Sequence, residues 1–324
     1  MRYAGIAVEG ARSIERVVYS YAIPEGMTIA VGHRVWVPFG RRESVGYVTS
    51  VGDGDPGLEV KPIARADTAP LLLPEQMKLA GRVASHYWAP LIECLRAMLP
   101  PRVRTGRSSG AGPSSRQTRH SRLLAYGEPA GPAEAGPAPT EEQLAALDQV
   151  RAHPRTLLHG VTASGKTDVY MAAAKETLAA GQRVLVLVPE IALGPQLVER
   201  FSRRLGVRLA VLHSGLTELE RAQQWWRVRR GQVDLVIGSR SGVFAPIPQL
   251  GLIVLDEEGS SAYKQDRLPR YDASWVAREL AKLTGARLLL GSATPTVATY
   301  AETEAGAAPD PAFDGLPLGA PPVP

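Results

Sequence analysis

Six short apolar runs between residues 155 and 292 constrain this chain more than anything else in it. They read RTLLH, RVLVLVP, LAVLH, VDLVIG, LIVLDE and ARLLLGS, with helical stretches between most of them. A strand without polar alternation is covered on both faces, and helical crossovers between such strands build a parallel sheet. The expectation for 140–303 is an α/β lobe with a parallel sheet.

The rest of the chain reads differently. Residues 1–65 are rich in β-branched and aromatic residues broken by Gly and Pro, as in RVVYSYAIP and HRVWVPFGRRESVGYVTSVGD, which predicts a small β-barrel-like unit. Residues 73–99 have helical spacing, split in two by Pro90. Together these give an N-terminal domain over 1–101. Residues 102–139 are rich in Arg, Gly, Ser and Pro and read as a flexible linker, and 304–324 as a disordered tail. Thr140 followed by Gln143 is a capping-box pattern that opens the α/β lobe.

Charge matters here by location. The chain carries a formal net charge of +5. Arg102, Arg104, Arg107, Arg116, Arg119 and Arg122 fall within 102–124, where there is no acid, so the remainder is close to neutral. That stretch is either an arm for a phosphate backbone or a solvated linker that happens to be Arg-rich. The single cysteine, Cys94, sits in an apolar helical setting and reads as a buried, inert thiol. One Cys predicts no thiolate zinc site. Without a long apolar run or a signal-like start, a cytoplasmic protein that leaves membranes alone is expected.

Two motifs carry chemistry. Gly160-Val-Thr162-Ala-Ser-Gly165-Lys166-Thr167 satisfies G-x-x-x-x-G-K-[ST] between a predicted strand and a predicted helix. Its glycines let backbone N–H groups turn toward phosphate oxygens, and the helix start adds positive potential. Lys166 would meet the β/γ phosphates of ATP, and Thr167 would ligate Mg2+. The run LGLIVLDEEGS then ends an apolar strand in Asp256-Glu257-Glu258. Asp256 would hold Mg2+ and Glu257 would orient or deprotonate the attacking water; a solvated acidic loop is the alternative.

Around these motifs GVTASGKTDVY, LVPEIALGPQ, VLHSGL, IGSRSGVFAP, LIVLDEE, YKQDRLPRYDA and GSATPT occur in order. In them the chain resembles the PriA family of bacterial replication restart proteins, DNA helicases of superfamily 2. The resemblance implies a RecA-like ATP-binding lobe preceded by a domain that captures a 3′ DNA end. It places Gln143 where an amide reads adenine and Gly291–Thr294 where nucleotide state is linked to DNA grip. It sets Arg240 on the strand backbone, Tyr263 and Tyr271 in an aromatic loop, and Tyr19, Ser20, Gly40 and Lys61 in the 3′-end pocket. The tyrosines would stack on bases or simply pack. The sequence departs from the family at Gly259, where a His is usual, and at Ser20, where an acid is usual. The Arg-rich linker stands in for most of a winged-helix domain. The family's zinc-binding domain and second motor lobe have no counterpart in this sequence, so the family pattern is shortened at the C-terminus.

The resemblance implies forked or single-stranded DNA as ligand, and replisome-loading and single-strand-binding proteins as partners. The expected function is DNA and ATP binding without unwinding by this chain alone. The alternative is an active 3′-5′ helicase, if a longer product supplies the second lobe.

Overall fold

The computed structural model describes residues 2–10, 18–54, 60–105, 131–161 and 164–304. The chain divides into two compact units, one centred on Met1–Leu99 and the other on Pro100–Gln265 with residues from Tyr271 onward.

The first unit holds strands β1 (Arg2–Val8), β2 (Tyr19–Ala22), β3 (Arg34–Phe39), β4 (Arg42–Asp53) and β5 (Arg65–Ala66). They form an antiparallel sheet in the order β2-β1-β4-β3-β5. Ala4, Ile6, Val8, Val35, Val37 and Val48 alternate onto one face and form its core. The barrel-like expectation holds, without full closure. The sheet curls, because the Tyr21 hydroxyl on edge strand β2 donates to the Pro38 carbonyl at 3.1 Å and Tyr19 packs edge-on against Phe39 at 5.1 Å. The segment leading into β5 also reaches the other edge, where Ala22 on β2 bridges Pro62 and the Ile63 N–H donates to the Ala22 carbonyl at 3.0 Å, but no continuous ladder among the described residues closes the sheet.

Helices α1 (Pro74–His86) and α2 (Leu91–Ala97) follow and pack together, with Pro90 as the N-cap of α2. Cys94 is fully buried between them and its neighbours. The expected linker begins differently, because Pro101–Thr105 forms a short helix, α3. Residues 106–130, with Arg107, Arg116, Arg119 and Arg122, lie outside the described residues, as does the tail beyond 304.

The second unit contains the α/β lobe. Its strands are β6 (Arg155–His159), β7 (Arg183–Leu187), β8 (Leu209–Leu212), β9 (Leu235–Gly238), β10 (Leu250–Leu255) and β11 (Arg287–Ser292). All neighbours run parallel, in the order β6-β11-β10-β7-β9-β8. The helices are α4 (Glu141–Ala152), α5 (Lys166–Ala179), α6 (Pro195–Leu205), α7 (Glu218–Arg229), α8 (Ala273–Thr284) and α9 (Val297–Glu304). Every residue of β8, β9 and β10 is buried, as two-face coverage requires. Thr140 caps α4 reciprocally with Gln143. The stretch before it runs along the end of α6, where the Glu134 N–H donates to the Arg203 carbonyl at 2.9 Å. No helix among the described residues is long and apolar enough to cross a membrane.

Candidate nucleotide and nucleic-acid sites

Strand order decides what meets at the carboxyl edge of the lobe. β11 lies between β6 and β10, so the loops after all three strands are neighbours although far apart in sequence. Main-chain bonds stitch them together. The Gly160 N–H donates to the Ser292 carbonyl at 3.1 Å, and the Glu258 N–H donates to the Gly291 carbonyl at 2.9 Å. The phosphate loop, the acids and Gly291–Thr294 are thereby one site.

Within the loop, Gly165 is the N-cap of α5 at φ +84, and no side chain caps that helix. The Asp168 N–H donates to the Gly165 carbonyl at 3.0 Å, and helix geometry leaves the N–H groups before it without a partner inside the helix, which makes the helix head an anion site. The glycine is required twice over. Its φ lies in the left-handed region, and a Cβ there would sit 2.4 Å from Gln143 Nε2. Lys166 folds over the loop, its ammonium donating to the carbonyls of Gly160 and, at 2.8 Å, Val161. Thr167 is half-buried one residue on. Thr162 lies outside the described residues.

The three acids part company. Glu257 is exposed and holds φ +49, an unfavourable backbone for a non-glycine residue of the kind that collects at functional sites. Asp256 accepts a hydrogen bond on Oδ1 from the Tyr170 hydroxyl at 2.8 Å. Tyr170 comes from α5 and is buried, and burial followed by the neighbouring Asp256 charge pushes its phenol well above the ordinary range, so it stays a neutral donor. Sequence reasoning assigned Tyr170 no role, because one aromatic in a helix reads as core. Glu258 is buried and turns away from the loop. Its carboxylate accepts from Thr296 Oγ1 at 2.9 Å, from the Thr296 N–H at 3.2 Å and from Thr299 Oγ1, with Arg278 at 3.7 Å. Glu258, the third of the consecutive acids, is thus a structural anchor.

Gln143 lies against the phosphate loop. Its Oε1 accepts from the Thr140 N–H at 3.0 Å and its Nε2 donates to the Gly165 carbonyl at 3.3 Å. Arg240 heads the turn after β9 and donates through Nη1 to the carbonyls of Lys264 and, at 3.4 Å, Ala262, bracing the aromatic loop. Base stacking by Tyr263 and Tyr271 is corrected by their burial, at 1% and 3% exposure. The Tyr263 hydroxyl donates to the main-chain carbonyls of Asp256 at 2.6 Å and Leu187 at 3.1 Å. Tyr271 packs edge-on against Phe244 at 4.8 Å, and burial pushes its phenol up to about 12 against the opposing influence of Arg240.

In the first unit, Tyr19 is half-buried on β2 and Ser20 beside it is exposed. Gly40, at φ +62, heads the two-residue turn joining β3 to β4, directly after the Phe39 that packs on Tyr19. Lys61 is exposed where its carbonyl accepts the Ala22 N–H at 2.9 Å, at the far end of β2. The curl of the sheet brings Tyr19 to the Gly40 turn, while Lys61 flanks the same edge strand.

The DEAD/DEAH box helicase family matches residues 140–303, the whole of the lobe just described. The chain belongs to the DEAD/DEAH box helicases. A second family, described as the 3'DNA-binding domain, matches residues 6–100. Among curated relatives, the Replication restart protein PriA of Bacillus subtilis is 46% identical over 52% of this chain and 22% of its own length. The protein of the same name from Haemophilus influenzae is 31% identical over 89% of this chain and 49% of its own length. That from Treponema pallidum is 35% identical over 83% of this chain and 40% of its own. The chain thus spans about half the length of these relatives or less. For a DEAD/DEAH box helicase lobe, nucleotide and Mg2+ use is the general expectation, and the donor set fits it: a helix head, an ammonium, a hydroxyl and a carboxylate on one edge. Gly259 follows the acids and is exposed, and a Cβ there would lie 3.1 Å from the Thr294 carbonyl, a tight contact that a small shift of that carbonyl relieves.

Proposed function

We propose that this chain is the nucleotide- and DNA-binding portion of a PriA-like replication restart protein, and that 1–324 by itself grips forked DNA and Mg2+–ATP without unwinding. One observation carries the reading: the phosphate loop, Asp256-Glu257 and Gly291–Thr294 converge on one sheet edge, held by main-chain bonds. Bound Mg2+–ATP supplies a transferable phosphoryl group and the cation that offsets its charge. Lys166 swings from the Gly160 and Val161 carbonyls to the phosphates, Thr167 and Asp256 hold the cation, and Glu257 orients water. Gln143 offers its amide to adenine, and Arg240 lies where the DNA strand passes. In the first unit Tyr19, Ser20, Gly40 and Lys61 receive a 3′ end. The division into 1–101, 102–139, 140–303 and 304–324, a cytoplasmic setting, and partnership with replisome-loading and single-strand-binding proteins belong to the same proposal.

Unwinding draws on two lobes that close and open around nucleotide, and only a state bound differently by ATP can be driven. The described residues contain one parallel sheet of this kind. Titration calorimetry with Mg2+–ATP tests the binding half: Lys166→Ala should weaken affinity at least tenfold, and equal affinity would remove the reading. The second reading, an active helicase, is favoured by the intact set Lys166, Thr167, Asp256 and Glu257. Robust ATP-dependent strand separation by purified 1–324, abolished by Lys166→Ala, would establish it and overturn the first. Gly259→His alone should restore no unwinding.

A further inference from the structure

Helix α1 ends in an unusual way. Tyr87 is its C-cap, Trp88 follows at φ +50, and the Ala89 N–H donates back to the Ala84 carbonyl at 3.1 Å. This is a Schellman ending, whose left-handed position normally belongs to glycine. Two other helices here end with the same bond and do use glycine. After α5, Gly181 stands at φ +75 and the Gln182 N–H donates to Thr177 at 3.2 Å. After α7, Gly231 stands at φ +68 and the Gln232 N–H donates to Arg227 at 2.9 Å. At α1 the chain places its largest side chain in the strained position and leaves it 90% exposed. The helix pair does not need that indole for its core, since Val83, Ala84, Ala89 and Leu91 around it are themselves buried.

The helix that leads to Trp88 carries basic side chains. Lys78, Arg82 and His86 follow one another at four-residue spacing and so share a face of α1 that runs toward Trp88. Lys78 and His86 are exposed and Arg82 half-buried. Glu75 lies in the first turn of α1, three residues before Lys78, and Glu93 on α2 is paired with Arg96 at 2.6 Å. A docking face for an apolar protein surface would need further exposed apolar side chains. Among the described residues of this unit the other large ones are Leu268 at 58%, Val31 at 39% and Val51 at 37%, none of them within thirty residues of Trp88 in sequence. One projecting aromatic on a helix pair that also carries Lys78 and Arg82 is instead the composition of a stacking platform for unpaired bases with their phosphates alongside.

We propose that Trp88, with Lys78 and Arg82, forms a stacking site for single-stranded nucleic acid on the helical part of the first unit, additional to the residues assigned to a 3′ end. The proposal rests on the reading of this chain as DNA-binding, and the experiment separates the two. Chain 1–324 is titrated with dye-labelled single strands of thymidine and of mixed sequence, and with a blunt duplex. Trp88→Ala should weaken single-strand binding about five- to a hundredfold with little dependence on sequence, and leave duplex binding within twofold. Trp88→Phe should retain most of the affinity, yet lose much of the tryptophan fluorescence quenching produced by the strand. Lys78→Gln with Arg82→Gln should lower the salt slope by roughly 0.7 for each phosphate that is no longer neutralised. If the wild type binds no DNA, the functional reading fails as well. If the wild type binds and Trp88→Ala binds equally, only this site is overturned. The site is likewise overturned if Trp88→Ala changes self-association in sedimentation while affinity for DNA stays the same.

Discussion

Asp256 is oriented by a residue that ordinary motif reading passes over. The Tyr170 hydroxyl reaches it only because residue 291 has no side chain, since a Cβ there would lie 1.6 Å from that oxygen. A glycine near the end of β11 therefore serves an acid after β10 through a tyrosine from α5. Tyr170→Phe removes one hydrogen bond to a charged acceptor, worth about 1.5–3 kcal/mol where the geometry is good. The expected outcome is Mg2+-dependent ATP affinity reduced by about tenfold, with Mg2+-free binding much less affected. Gly291→Ala should do more, because it displaces the tyrosine bodily. Calorimetry with and without Mg2+ checks both, and equal losses in the two conditions would count against an effect through Asp256. None of this was legible in the sequence. A helical tyrosine and a strand glycine each have ordinary explanations, and only the strand order makes them neighbours.

At the scale of elements, the anchoring of α9 is the instructive case. Glu258 binds Thr296 and Thr299, and Arg278 from α8 meets the same carboxylate while donating to Thr299 at 2.6 Å and Glu302 at 2.7 Å. A short terminal helix of eight residues is marginal by itself, so this buried polar cluster holds it to the lobe. Glu258→Ala would leave the donors of Thr296 and of buried Thr299 without their acceptor, while Arg278 keeps Glu302, and should destabilise the lobe by about 1–3 kcal/mol. Urea unfolding measures that loss, and amide exchange should rise first in 297–304. Exchange rising evenly through the lobe would count against a local anchor. The acids were visible in the sequence, but their division of labour was not. Three consecutive residues leaving a strand point in different directions, and which one meets Arg278 depends on where α8 packs. The six strands of the lobe were legible because burial on both faces leaves a continuous apolar run. The shape of the first sheet was not, since closure depends on pairing between distant edges that no local pattern encodes.

For the molecule as a whole, net charge is a poor guide and its placement a good one. Six arginines within 102–124 exceed the chain's formal net charge of +5. If that stretch engages phosphates, changing all six to Gln should flatten the plot of log affinity against log salt by up to about five units, since each neutralised phosphate releases roughly 0.9 counterion on duplex. An unchanged slope would make it a spacer between two units that bind DNA by other means. Arg102 and Arg104 are on α3, so their separate substitution asks whether the helical start of the stretch contributes.

The bonds from Gly160 to Ser292 and from Glu258 to Gly291 use only main-chain atoms. Replacing a side chain in these loops deletes neither donor nor acceptor, provided the new residue is not proline. The spacing between phosphate loop and acids is thus insulated from most mutations that alter their chemistry. The exposed side chain of Glu257 can change while the main-chain frame around it stays the same. Architecture and reactivity are separately heritable in such a lobe, which lets catalytic strength drift while the ability to hold a nucleotide persists.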